Sequence, residues 1–73
     1  MIKLFSAPWC ANCKPIKKYL EDKNIVHQVM DIDTEYGAEQ ATELKLRSIP
    51  VLVTEDGDIK MGSAIMDYLN NYN

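Results

Sequence analysis

Two short apolar runs on either side of one amphipathic stretch fill the first half of the chain, and that order leaves few ways to fold. Met1 to Phe5 is apolar apart from Lys3 and stops at Ser6, Ala7 and Pro8, which reads as a strand followed by a loop. From about Ala11 to Lys23 the apolar positions Cys13, Ile16, Tyr19 and Leu20 keep a three-and-four spacing, while Lys14, Lys17, Lys18, Glu21 and Asp22 fill the other face. This spacing predicts an amphipathic helix. Pro15 falls in its first turn, where a missing N–H costs nothing, and Asn24 suits the stop because it tolerates a left-handed backbone. Ile25 to Ile32 follows, β-branched and with apolar groups on both faces, which predicts an inner strand. A strand, a helix and a second strand joined this tightly make a right-handed crossover with parallel strands.

The second half supplies a different strand pairing. Asp33 or Thr34 caps a second expected helix running to about Lys45, with Tyr36, Ala41 and Leu44 inward and Glu35, Glu39 and Glu43 outward. Gly37 weakens that helix, and its acidic stripe repels itself. Pro50 opens the run Val51, Leu52, Val53, Thr54, and Asp56 and Gly57 make a hairpin turn into Asp58 to Met61. Gly62 breaks the pattern, Ser63 is the expected cap, and Ile65, Met66, Leu69 and Tyr72 define a last amphipathic helix. The order β-α-β-α-β-β-α predicts an α/β domain, a mixed four-stranded sheet flanked by three helices.

Composition sets the class. At 73 residues the chain buries only about 60% of the surface it exposes when unfolded, so every element must feed one core. With no internal repeat and no linker-like segment, residues 1–73 read as a single domain. The apolar share of 47% and charged share of 26% argue against a disordered tail. Eight basic against eleven acidic residues, a net charge of -3, give no basis for holding a polyanion, so no nucleic acid is expected as a partner. No apolar run approaches the roughly 18 to 20 residues of a membrane span, and Met1 to Ala7 is too short for a signal peptide. The expectation is a cytoplasmic monomer with no membrane association.

That compartment makes Cys10 and Cys13 informative. A secreted chain of this size would more often carry a framework of four or six cysteines, whereas a lone close pair in a reducing compartment points to redox or metal chemistry. Zinc needs about four ligands, and the one further soft or imidazole donor is His27 on the second expected strand, so no metal is expected. Cys10 stands just before the first helix, whose free N–H groups stabilise a thiolate, and Lys14, Lys17 and Lys18 add positive potential nearby. Cys13 falls one turn further in, on the face turned to the core. The spacing lets the two sulfurs bond, which disulfide exchange requires.

The segment Ala7, Pro8, Trp9, Cys10, Ala11, Asn12, Cys13, Lys14 resembles the active-site segment of the thioredoxins, which carry a Trp before the first cysteine and a Lys after the second. The middle dipeptide differs from their usual Gly-Pro. Ser48, Ile49, Pro50 resembles the stretch that sets a cis-proline beside the dithiol in the thioredoxin fold, and Gly62 falls where that family has a glycine after its last strand. The chain's shortness makes it more similar to the glutaredoxins and to the small glutaredoxin-like redoxins that serve ribonucleotide reductase.

The resemblance implies a thioredoxin fold and a thiol–disulfide oxidoreductase that reduces protein disulfides, with no further cofactor. Cys10 would attack, Cys13 resolve, Lys14 tune the thiolate, Trp9 shape the rim, and the Ile49 backbone beside Pro50 pair with an extended substrate. Its implied partners are disulfide-containing proteins and an upstream thioredoxin-reductase-like enzyme or glutathione. Two rival readings stand beside it: a glutathione-dependent glutaredoxin, and a non-catalytic thioredoxin-fold binding module. Glutaredoxins usually follow the last strand with Gly-Gly or Gly-Cys and acidic residues, where this chain has Gly62, Ser63, Ala64.

Overall fold

A computed structural model describes residues 1–72; Asn73, the last residue of the expected domain, lies outside the described residues. Strand β1 (Ile2–Ser6) leads through a short 3-10 turn (Ala11–Cys13) into α1 (Lys14–Asp22). Then come β2 (His27–Asp31), α2 (Glu35–Glu43), β3 (Val51–Val53), β4 (Ile59–Met61) and α3 (Ser63–Asn70). The sheet order is β2-β1-β3-β4. Strands β1 and β2 are parallel, from Ile2 opposite His27 to Ser6 opposite Asp31. Strand β3 runs antiparallel to both β1 and β4. The mixed four-stranded sheet with three helices is the expected architecture.

Strand alternation sorts the core into two layers. Ile2, Leu4 and Leu52 point to one face, where Ile16 and Leu20 of α1 and Ile65 and Leu69 of α3 cover them. Phe5, Val51 and Val53 point to the other, joined by Met30 and packed by Ala41, Leu46, Ile32 and Ile49. Each fully buried side chain of this kind contributes about 1.5–3 kcal/mol.

Strand β2 corrects one expectation: it is an edge, and β1 and β3 are the inner strands. Val26 is 71% exposed and Val29 is also on the surface. Apolar residues on both faces read as burial, but only Met30 within this strand is buried. The inner position falls instead to β3, whose three residues are all buried.

Helix α2 corrects another. Tyr36, expected inward, is 57% exposed, and Leu44 is exposed as well. The buried residue of this helix is Gly37. A Cβ built there would overlap the Asp31 carbonyl, so the helix lies against the end of β2 at a distance only glycine permits. Thr34 is the cap: its Oγ1 accepts from Gly37 N at 3.0 Å and donates to Asp31 O at 2.6 Å. The side turned to the sheet is therefore the small-residue stripe Gly37 and Ala41, and the large residues Tyr36 and Leu44 are rotated outward.

Ser63 does not cap α3. Gly62 takes the cap position at φ 57°, without a side-chain bond, and Ser63 is the first helical residue. Other local signals hold. Pro15 lies in the first turn of α1, Asn24 has φ 54°, and the hairpin closes through Gly57 N to Thr54 O at 3.0 Å. Tyr72 Oη donates to Glu55 Oε1 at 2.8 Å, tying the end of α3 to that hairpin and holding the phenol above its ordinary range. No helix among the described residues is long and apolar enough to cross a membrane.

The close approach at Gly37 gives a sharp contrast. Gly37→Ala is expected to lower unfolding stability by about 1–3 kcal/mol through forced overpacking, while Tyr36→Ala on the same helix changes it by under about 0.5 kcal/mol. Urea denaturation of the two variants measures both.

Candidate active site

Three segments converge at one end of the sheet because of strand direction. The loop after β1 and the loop after β2 leave from the same end, since those strands are parallel, and the segment entering β3 arrives there because β3 is antiparallel. The first of these carries the cysteines. Cys10 N donates to Ala7 O at 3.0 Å and Cys13 N to Cys10 O at 3.3 Å, so the chain turns tightly out of β1. Cys10 has an extended backbone before the 3-10 turn, and Cys13 sits at the head of α1.

Cys10 and Cys13 are joined in a disulfide with their Cα atoms 5.4 Å apart. The two sulfurs have unequal surroundings. Cys10 keeps 7% of its surface exposed and Cys13 none. Ala7 packs with the pair, and Ile32 and Ile49 close its underside. The Ile49–Pro50 peptide bond is cis, in the stretch that enters β3.

Trp9 stands at the rim, 66% exposed. Its indole Nε1 donates to both carboxylate oxygens of Asp33, at 3.2 and 3.0 Å. Asp33 is anchored in turn, its backbone N donating to Asp31 Oδ1 at 2.8 Å. The sequence marked Asp33 only as a possible helix cap. Its partnership with Trp9 spans 24 positions and has no local signal, but the Ser6–Asp31 register makes the residues just beyond each strand neighbours.

An apolar cavity of about 430 Å³ opens beside this rim, lined by Trp9, Ile32, Ala41, Leu46 and Ile49, with Arg47 as its cation. Ile32 and Ile49 are shared between this cavity and the floor of the disulfide. These two residues connect the cavity to the buried surroundings of the pair.

Lys14 opens α1 and is exposed, as is Lys18, while Lys17 is half-buried. Lys18 pairs with Asp22 at 3.5 Å on an exposed surface, a contact worth about 0–1 kcal/mol. His27 lies opposite Ile2, at the far end of β1 from the cysteines. Its Nδ1 is within 2.7 Å of Ile25 O. No group of three or more His, Cys, Asp or Glu that could hold a metal occurs among the described residues.

A partly exposed cysteine bonded to a buried one, before a helix and beside an apolar groove, is suited to reversible thiol–disulfide chemistry. This is the site of a thiol oxidoreductase of the thioredoxin and glutaredoxin class. The chain belongs to the glutaredoxin family, whose family model matches residues 2–59. It is similar to a probable thioredoxin of Archaeoglobus fulgidus, 27% identical over 66 residues, covering 85% of this chain and 72% of the relative. Among solved structures it resembles the thioredoxin-like protein BC3987, with a TM-score of 0.77 at 22% identity over 96% of this chain and 97% of that one. It also resembles thioredoxin O2 from Arabidopsis thaliana in its oxidised state, with a TM-score of 0.69 at 21% identity over 99% and 74%. These structures share the fold.

Trp9 is the chain's one tryptophan, so its tether can be read directly. Asp33→Ala is expected to weaken the near-ultraviolet dichroism of Trp9 while lowering stability by no more than about 1.5 kcal/mol. An unchanged tryptophan band would mean that Asp33 does not hold the ring.

Proposed function

We propose that this protein is a cytoplasmic, monomeric protein-disulfide reductase that cycles through Cys10 and Cys13. The observation that carries the reading is the asymmetry of the pair: Cys10 keeps 7% of its surface exposed and Cys13 none, and the pair packs on Ile32 and Ile49, which also line an apolar groove. Cys10 is the attacking thiolate. It bonds to one sulfur of a substrate disulfide, that disulfide breaks, and the second substrate sulfur leaves as a thiolate and takes a proton from water. Cys13 then attacks the Cys10 sulfur, the internal disulfide forms, and the first substrate sulfur is released. The substrate gains two electrons and two protons, and the chain is left in the oxidised form observed here.

Each remaining residue has a part in this reading. Trp9 and Ile49 wall the groove that seats an apolar substrate side chain. The backbone at Ile49, next to Pro50, pairs with the substrate's extended segment in the manner of an added strand. Lys14, at the head of α1, adds positive potential for the thiolate. Ribonucleotide reductase is a proposed acceptor, since such small redoxins resemble this chain in size.

The glutaredoxin family match favours a second reading, in which glutathione supplies the electrons. Two glutathiones would reduce the pair, one forming a mixed disulfide with Cys10 and the other releasing it as oxidised glutathione. Gly62, Ser63 and Ala64 lack the acidic step that usually holds this tripeptide, which supports a flavin reductase as the donor. A redox midpoint near about -270 mV fits that reductase, and one near about -200 to -230 mV fits glutathione.

Cys13→Ser is expected to accumulate a mixed disulfide through Cys10, seen as a mass increase in non-reducing conditions, and Cys10→Ser to abolish exchange. Continued turnover by Cys10→Ser would reverse the assignment of roles. Partner retention by both variants without any turnover would instead leave a binding module.

A further inference from the structure

Across the sheet, one row of side chains is apolar on all four strands. Met30 of β2 lies opposite Phe5 of β1, Phe5 opposite Val51 of β3, and Val51 opposite Met61 of β4. Residues directly opposite in a ladder point to the same face, so Met61 stands on the α2 side, with the layer that holds Met30, Phe5 and Val51. Ala41, Leu46, Ile32 and Ile49 pack over those three, which are buried. Met61 lies beyond that cover and is 53% exposed.

The row runs at the end of the sheet that carries the disulfide. Phe5 lies one residue before the end of β1, which leads into the cysteine turn, and Val51 directly follows Pro50. Phe5 and Ile49 also line the apolar groove. Met61 therefore extends this apolar surface toward β4, one strand over from the Ile49 segment on which the substrate strand pairs in the reading above. A thioether is soft and fits irregular apolar side chains. Its sulfur is also open to peroxides. The O–O bond of a hydroperoxide breaks, one oxygen forms an S–O bond, the sulfur gives up two electrons, and the peroxide leaves as an alcohol or, from hydrogen peroxide, as water. The product, a sulfoxide, is polar and disrupts apolar contacts.

We infer that Met61 is a peroxide-sensitive contact of the substrate surface: its thioether meets an apolar side chain of the protein disulfide, and its sulfoxide slows exchange with that protein while leaving the dithiol intact. The inference rests on the reductase reading and deepens it by adding oxidative control of docking. The other three methionines serve as references within the same chain. Met30 is buried, and Met66 is half-buried against the layer under α1 and α3. Met1 is 64% exposed but precedes Ile2, at the far end of β1 from the cysteines.

The test treats the disulfide form of the full chain with hydrogen peroxide, so that the bonded sulfurs are protected, and maps the sulfoxides by peptide mass. Peroxide is then removed, the pair is reduced with dithiothreitol, and the chain is set against two probes: insulin, a protein disulfide, and hydroxyethyl disulfide, which has no side chains to seat. Met61 and Met1 are expected to oxidise before Met66 and Met30. The oxidised chain should reduce insulin about tenfold more slowly, the scale of carrying one unpaired polar group into an apolar contact, and the small disulfide at its original rate. Met61→Leu, which stays apolar and retains Met1, should keep its insulin rate through the same treatment. Oxidation of Met61 no faster than of Met66, an insulin rate unchanged once Met61 is fully oxidised, an equal loss in Met61→Leu, or an equal loss toward the small disulfide would overturn the inference while leaving the reductase reading intact. An untreated chain that reduces neither probe would overturn both.

Discussion

Strand β1 is hydrogen-bonded on both sides, parallel to β2 and antiparallel to β3, and the rest of the molecule is arranged around that pairing. Those two directions bring the exits of β1 and β2 and the entry of β3 to a single edge. The cysteine turn, Asp33 and the Ile49–Pro50 segment meet there without any of them being near another in sequence. Loops can be reshaped at that edge while the strands that aim them, β1 and β3, stay buried.

The disulfide does little to hold this scaffold together. In the chain-entropy view the stabilisation grows with the loop that the bond closes, and a loop this short accounts for about 2 kcal/mol, against about 3 kcal/mol for a fifteen-residue loop. The two apolar layers supply much more, since each contains several wholly buried side chains. Breaking the Cys10–Cys13 bond therefore leaves the core standing, a requirement for a bond that must open and close repeatedly. The close seat of α2 serves the same end. Gly37 brings the helix onto the end of β2, and Thr34 locks its first turn to the Asp31 carbonyl, two residues before Asp33. The anchor of Trp9 thus inherits the rigidity of a capped helix.

Local signals were readable and tertiary ones were not. The strand of Ile2 to Ser6, the proline in the first turn of α1, the left-handed Asn24 and the Gly57 hairpin all follow from short-range chemistry, and the cysteine spacing marked the site. The edge position of β2 was hidden because apolar residues on both faces look the same whether a neighbouring strand is present or absent. The inward face of α2 was misread for a related reason. Hydrophobic periodicity weights large side chains, whereas a helix held this close to the sheet turns its smallest residues inward. The contact of Asp33 with Trp9 could not be found at all, since it forms across the sheet edge between residues 24 positions apart.

The two cysteines have unequal surroundings, Cys10 slightly exposed and Cys13 wholly buried. Trp9, Ile32 and Ile49 line the groove, with Asp33 holding the Trp9 indole at its edge, and none of them belongs to the α1 face of β1. Cys13 is wholly buried at the head of α1, the helix whose Ile16 and Leu20 cover the Ile2 and Leu4 face of β1. A dry contact strengthens any polar interaction formed within it. The lysines on the outer side of α1 therefore weigh less on the pair than its buried surroundings do, because water and salt screen them.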